Sequence, residues 1–241
     1  MIETREQIQG QKLSPDETFC FACGPDLDCF NTCCRNKRLP LWPYDVLRLR
    51  RALDVPSTRI LEQYAEMDFD PVSGWPALRL KLDDQGRCPF VTDQGCKVYP
   101  HRPAACRIYP LARAVGRPKG QSNPDIIYLR QETKNCLGWD QDREHTVESW
   151  TDDQDLALYN QANDDMTPLF FHPKRKGRLE LNPRQIHAVI VALYNLDVFR
   201  QMLDTPMFKD LFQPDQIETA RESDENLLLL GRDFLIRQLF G

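Results

Sequence analysis

The sequence predicts an α+β, helix-rich protein: a small irregular cysteine-rich part with short antiparallel strands, followed by an α-helical C-terminal part. Three observations predict it. All nine cysteines (20, 23, 29, 33, 34, 88, 96, 106 and 136) lie in the first 136 of 241 residues, and the last 105 contain none. Short alternating apolar segments between turn residues fill the first part, whereas apolar stripes of helical period fill the second. Charge divides at the same place: residues 1–140 carry 20 Lys+Arg against 18 Asp+Glu, residues 141–241 carry 11 against 18, and the sums return the net −5. A cysteine-cluster domain over 1–140 with a helical region over 141–241 packed on it is the organisation expected.

The elements follow in order. Pro43 to Leu53 reads as a helix, with Pro43 tolerated in the first turn. Ser57 is expected to cap a second helix reaching Glu66, with Ile60, Leu61 and Tyr64 on one face. Ala77 to Leu82 alternates as a strand does. In Cys88–Tyr99, Asp93-Gln94-Gly95 is a turn signal between two short extended pieces. Segments 111–115 and 125–131 are strand candidates joined by a Gly/Pro-rich loop. Beyond 140, Thr151-Asp152-Asp153-Gln154 fits a capping box ahead of Leu156, Tyr159 and Met166. Asn182-Pro183 opens an amphipathic helix carrying Ile186, Val189, Ile190, Leu193 and Leu196. Ser223 caps a last helix that turns Leu227, Leu228, Phe234, Leu235 and Leu239 inward. These stripes read as core.

Composition narrows the function classes. At 41% hydrophobic and 28% charged the chain is of ordinary globular type. Its longest strictly apolar run, Ala188 to Tyr194, falls far short of the ~20 residues a bilayer requires, so no membrane span is expected. The polar start MIETREQIQGQKLSP has no apolar h-region, so a cytoplasmic location is expected, where thiols stay reduced. No stretch is basic enough to point to nucleic acid.

In that setting the cysteines take on meaning. Cys20, Cys23, Cys29, Cys33 and Cys34 fall within fifteen residues of a loop rich in Gly, Pro and Asp, where they are neither a disulfide framework nor reduced core residues. Soft thiolates gathered by a loop suit zinc or iron–sulfur clusters. Neighbouring side chains diverge by about 100° in a helix and about 180° in a strand, so Cys33 and Cys34 are expected to serve different metal atoms. Cys88, Cys96, Cys106 and Cys136 supply further ligands, for two four-cysteine sites or for one cluster and one structural site. Arg35, Arg87, Lys97, Arg102 and Arg107 lie beside cysteines in the chain and could offset thiolate charge; the competing reading is solvated surface. His101 could replace a cysteine, whereas Tyr99 and Tyr109 read as packing.

At these residues the chain resembles the CxxCxxCC family of zinc- or iron-chelating proteins, also called YkgJ-like cysteine cluster proteins. The resemblance rests on Cys88-Pro89-Phe90, Gly95-Cys96-Lys97-Val98-Tyr99, Arg102-Pro103 and Cys106-Arg107-Ile108-Tyr109-Pro110-Leu111, and spans about residues 19–140. The N-terminal cluster departs from the family name, because nine residues separate Cys23 from Cys33-Cys34 and Cys29 lies among them. The ligands implied are Cys23, Cys29, Cys33, Cys34, Cys88, Cys96, Cys106 and Cys136, with Cys20 the substitute should Cys29 not serve. The resemblance implies chelation of zinc or iron, with a 4Fe–4S cluster as one form. Flagellin lysine-N-methylases look similar in cysteine pattern, which gives the alternative of a cluster-dependent transferase acting on a protein lysine. With 11 glycines and no G-x-G-x-x-G, an ordinary Rossmann site for its methyl donor is not expected. Another alternative is an interaction module with structural zinc, whose acidic helical half docks another protein. Without a G-x-S-x-G, a serine hydrolase has no support.

Overall fold

A computed structural model describes residues 10–14, 16–116, 125–133 and 135–241. Strands β1 (Gln11–Leu13), β2 (Phe19–Cys20) and β3 (Pro40–Leu41) lead to helices α1 (Pro43–Leu53) and α2 (Ser57–Tyr64). Next come β4 (Ala65–Phe69), β5 (Pro76–Leu80), β6 (Val91–Thr92), β7 (Gly95–Cys96), α3 (Ala104–Ile108), β8 (Leu111–Gly116), β9 (Asp125–Arg130) and β10 (Glu144–His145). The remainder is helical: α4 (Val147–Asp153), α5 (Ala157–Asp164), α6 (Thr167–Phe170), α7 (Pro183–Leu193), α8 (Leu196–Met202), α9 (Pro206–Leu211), α10 (Pro214–Glu222) and α11 (Asp224–Phe240). The α+β class is as expected.

The strands pair antiparallel in four small sheets, in the orders β1-β9-β8, β10-β2, β3-β5-β4 and β6-β7. The expected 93–95 turn is a two-residue connection, with Thr92 opposite Gly95. The Gly/Pro-rich loop expected before residue 125 lies largely outside the described residues.

Helix α1 has the expected bounds. Asp45 at its third position accepts the N–H of Trp42 at 2.8 Å, satisfying one of the donors a helix start leaves over. The cap expected of Ser57 is different. Ser57 is the first helical residue, and its N–H and hydroxyl both donate to Asp197 of α8, so a distant carboxylate caps α2. The helix also stops at Tyr64, because Ala65 to Phe69 pair with β5. The capping box expected at Thr151 instead sits at Thr146, whose hydroxyl accepts from Ser149 N at 3.1 Å and starts α4 earlier. Leu156, Tyr159 and Met166 are nonetheless buried. Asn182 caps α7 as expected, although that helix ends at Leu193 and Leu196 belongs to α8. Ser223 caps α11, which buries Leu227, Leu228, Phe234 and Leu235 and half-buries Leu239.

One contiguous hydrophobic core runs from Phe19 and Phe21 through Leu47, Leu49 and Ile60 to Phe199, Phe208 and Phe234. Helix α1 joins its two ends. Tyr44 meets Tyr159 edge-on at 5.1 Å, Arg50 pairs with Asp224 at 2.8 Å and Asp197 at 3.2 Å, and Arg51 pairs with Glu225 at 2.7 Å. Among the described residues no helix is long and apolar enough to cross a membrane.

Candidate metal centre

The cysteines are placed by pairing between distant segments. Phe19 on β2 and Phe21 just beyond it turn inward and leave Cys20 on the outer face, opposite Glu144. Phe21 is 2% exposed and packs edge-on against Trp139 (5.3 Å), Trp150 (5.6 Å) and Tyr109 (5.9 Å). Hydrogen bonds fasten this segment to residues 138–145. Phe21 N donates to Arg143 O at 2.8 Å, Ala22 N to Gly138 O at 3.1 Å, and His145 Nε2 to Phe21 O at 3.1 Å. The approach requires glycine, since a Cβ at 138 would lie 2.6 Å from the Phe21 ring and 2.7 Å from Ala22 O. Beyond Cys23 the same contact continues, with Leu137 N donating to Cys29 Sγ at 3.3 Å.

Cys33 and Cys34 close a 3-10 turn, Thr32–Cys34, between Asn31 at φ 65° and Asn36 at φ 53°. Two asparagines in the left-handed region show how sharply the backbone bends here. Asn31 Nδ2 ties the turn to the hairpin through Thr92 O at 2.9 Å. After the turn the chain runs along a third segment: Cys88 N donates to Cys34 O at 2.9 Å, Arg35 bridges Arg87, and Asn36 N donates to Gly86 O at 2.7 Å. Gly86 has φ +70°, and a Cβ there would fall 2.0 Å from Asn36 Oδ1. Cys96 lies on β7 opposite Val91, and Cys106 lies on α3. The first amide of α3, Ala104 N, donates to Asp45 Oδ1 at 2.8 Å, so one buried carboxylate joins the starts of α1 and α3. Burial raises the Asp45 pKa to about 7, against the two amide donors and Arg107.

The thiols act on one another. The Cys34 thiol hydrogen-bonds Cys33, which lowers the Cys33 pKa to about 6 with help from Lys37 and Arg102, and drives that of Cys34 up. The pKa of Cys23 rises to about 11, through burial and then the charges of Cys33, Cys29 and Cys136. Burial likewise raises Cys88, Cys96 and Cys106; Cys96 and Cys33 add to it at Cys88, Cys33 at Cys96, and Cys88 and Cys96 at Cys106. Cys106 keeps solvent-accessible surface although protein crowds its sulfur. Each of the eight thiols named by the resemblance thus acts on, or is acted on by, another of them, and Cys20 does not appear in these couplings.

Several expectations need correction. Of the cations expected to face the cluster, Arg102 does so, acting on Cys23, Cys33, Cys96 and Cys106. Arg87 is held by Asp83 at 3.0 Å. Arg107, 4% exposed, donates to Pro100 O and Gln154 O and covers the Tyr159 ring at 4.9 Å. His101 faces Arg48, Arg107 and Arg51, which with burial depress its pKa. Sequence reading passed over Lys37 beside Cys33, and over Tyr109, whose hydroxyl meets Cys136 as well as Thr133 Oγ1 at 2.9 Å. Lys37 carried no motif signal. Tyr109 stood in the motif but read as packing; Tyr99 is exposed beneath Arg102 at 3.8 Å.

Among the described residues, no three His, Cys, Asp or Glu side chains already stand as the ligands of an ion. The donor set nevertheless fits one. Its thiols are soft, and burial with like charge raises the pKa values of Cys23, Cys34, Cys88, Cys96 and Cys106, a repulsion that a bound divalent cation relieves. Cys23, Cys33 and Cys106 are exposed.

The CxxCxxCC family, described as a putative zinc- or iron-chelating domain, matches residues 22–151, which is 130 of the 241 residues. The chain belongs to this family. The match extends past residue 140, where the sequence resemblance stopped, and takes in His145 and Trp150 of the aromatic nest behind Cys23. Curated proteins and solved structures yield no match.

Proposed function

We propose that the protein binds zinc or iron through Cys23, Cys29, Cys33, Cys34, Cys88, Cys96, Cys106 and Cys136, in the reducing cytoplasm. The observation that carries this reading is the mutual influence of these eight thiols, gathered from distant segments by the fold, with Cys20 on the outer face of β2. Zinc would supply a closed structural site, and an iron–sulfur cluster would add one-electron chemistry. The chain's own part is to hold the donors. Phe21 and its ring partners anchor the Cys23 segment, Asp45 anchors the Cys106 helix, and Arg102 and Lys37 offset negative charge. The helical half supports the cysteine part from below through α1.

Iron, zinc and acid-labile sulfide per chain, measured on protein purified without oxygen, test the reading. About two zinc without sulfide would indicate two closed sites. About four iron with matching sulfide would indicate a cluster beside a second site. A chain carrying none of these, even after reconstitution, would overturn the proposal.

A further inference from the structure

We infer that the edge strand β4 is a self-association surface, on which a second copy of this chain adds its own β4 antiparallel across a two-fold axis at Met67. This goes beyond the metal reading and does not depend on it. Three observations carry it: an open strand edge, an apolar row beside that edge, and an ion-pair arrangement that one chain leaves unbalanced.

Strand β4 pairs with β5 on one side, and among the described residues no strand pairs with the other. Register decides which groups face the open side. Lys81 N donates to Tyr64 O and Asp70 N to Trp75 O, each at 2.9 Å and each continuing the register of β4 with β5. Such bonds recur at every second residue, so Glu66 and Asp68 bond to β5, and Ala65, Met67 and Phe69 turn their N–H and C=O outward. Asp68 Oδ1 takes the Phe69 amide at 2.8 Å, which leaves the amides of Ala65 and Met67 for another strand. No proline, lysine or bulge blunts this edge. The side chains of Ala65, Met67 and Phe69 share the sheet face of the buried Leu78 and Leu80. At the edge that cover runs out, and Met67 is 51% exposed and Phe69 38%.

The charges on the other face select a second copy as the occupant. There Asp68 holds two guanidinium groups, Arg38 at 2.8 Å and Arg79 at 3.0 Å, whereas the exposed Glu66 has no ion-pair partner among the described residues. Each chain therefore presents an Arg38 side chain, 72% exposed, that shares its carboxylate, and a carboxylate that has no cation. A two-fold axis at Met67 sets Glu66 of one copy opposite Asp68 of the other, within reach of the Arg38 bound there. The facing carboxylates are offset by Arg38 and Arg79. On the apolar face the same axis sets Met67 against Met67 and the Phe69 ring against the small Ala65. Met67 then exchanges both backbone bonds with its copy, and Ala65 N donates to Phe69 O.

The test is sedimentation of the full-length chain over a concentration series. With rising concentration the wild type is expected to approach twice the 28.1 kDa of one chain. Met67→Lys, Glu66→Arg and Arg38→Glu should each stay at the mass of one chain, with circular dichroism unchanged. Mixing the Glu66→Arg chain with the Arg38→Glu chain should restore the doubled mass, because the mixed pair regains an opposite-charge contact on both sides of the axis. A wild type that stays at one chain mass at every concentration would overturn the inference, and would do so equally if β4 receives a different protein. A doubled mass that survives both Met67→Lys and Glu66→Arg would place the contact elsewhere. Two folded charge variants that are monomeric alone and stay monomeric when mixed would refute the two-fold register.

Discussion

Replacing Phe21 with alanine probes the anchor that holds the N-terminal cysteines against the rest of the chain. The side chain is 2% exposed, touches Gly138, and stands edge-on to Tyr109, Trp139 and Trp150 at 5.3–5.9 Å. Truncating a buried phenylalanine costs about 3–5 kcal/mol in lost transfer energy and residual cavity. Three aromatic partners, each worth about 0.5–1.5 kcal/mol beyond area, place Phe21→Ala at the upper end of that range. At about 2–4 °C per kcal/mol for a chain of this size, the midpoint should fall by on the order of 10–15 °C. Phe21→Leu, which keeps most of the volume, should cost roughly half as much. Urea unfolding of metal-free protein by tryptophan fluorescence measures both, because Trp139 and Trp150 report on the nest. In parallel, Cys23 should react faster with a disulfide reagent in Phe21→Ala. A loss under about 1 kcal/mol with unchanged Cys23 reactivity would show that the nest is not what fixes this segment.

Three further outcomes are expected. Zinc loading near pH 7 should expel at least about five protons, one each from Cys23, Cys34, Cys88, Cys96 and Cys106, whose raised pKa values keep them protonated, so affinity should weaken as pH falls; release of fewer than two in a pH-stat titration would contradict the thiol assignment. Cys20→Ala should leave metal content and stability unchanged, whereas Cys96→Ala should release metal and destabilise the fold, and equal metal loss in both would move Cys20 into the ligand set. Because the folded Asp45 holds its proton to about pH 7 while an unfolded aspartate releases it near pH 4, wild-type stability relative to Asp45→Asn should decline between those values, by up to about 1.4 kcal/mol per pH unit, and level off above; a parallel pair of pH–stability curves would refute the buried-acid assignment.

What could be read from the sequence depended on whether the deciding partner was local. Pro43 and Asn182 announced α1 and α7 because a first-turn proline and a side-chain cap act within a few residues. Ser57 misled for the opposite reason, since its partner Asp197 lies 140 residues away. The end of α2 likewise depended on β5 across a sheet, which no helical pattern reveals. At the site, thiol spacing and the surrounding motif singled out the cysteines proposed as ligands, whereas Lys37 and Tyr109 emerged only once folding placed them against Cys33 and Cys136. The sharp bend around Cys33 and Cys34 was also hidden, because it depends on two asparagines adopting a conformation that their type permits but does not dictate.

Helix α1 is a hinge-pin shared by two tenants. One side of it fixes Cys106 through Asp45, and the other is clasped by α11 through Arg50 and Arg51. The family match ends at residue 151, so a fragment cut there would strip α1 of α11 and of the Tyr159 ring. Grafting the cysteine region onto another scaffold would therefore mean carrying over the outward face of α1, or redesigning it for the new host. For the same reason, substitutions near the end of the chain, far from any thiol, can be selected through how firmly a metal is kept.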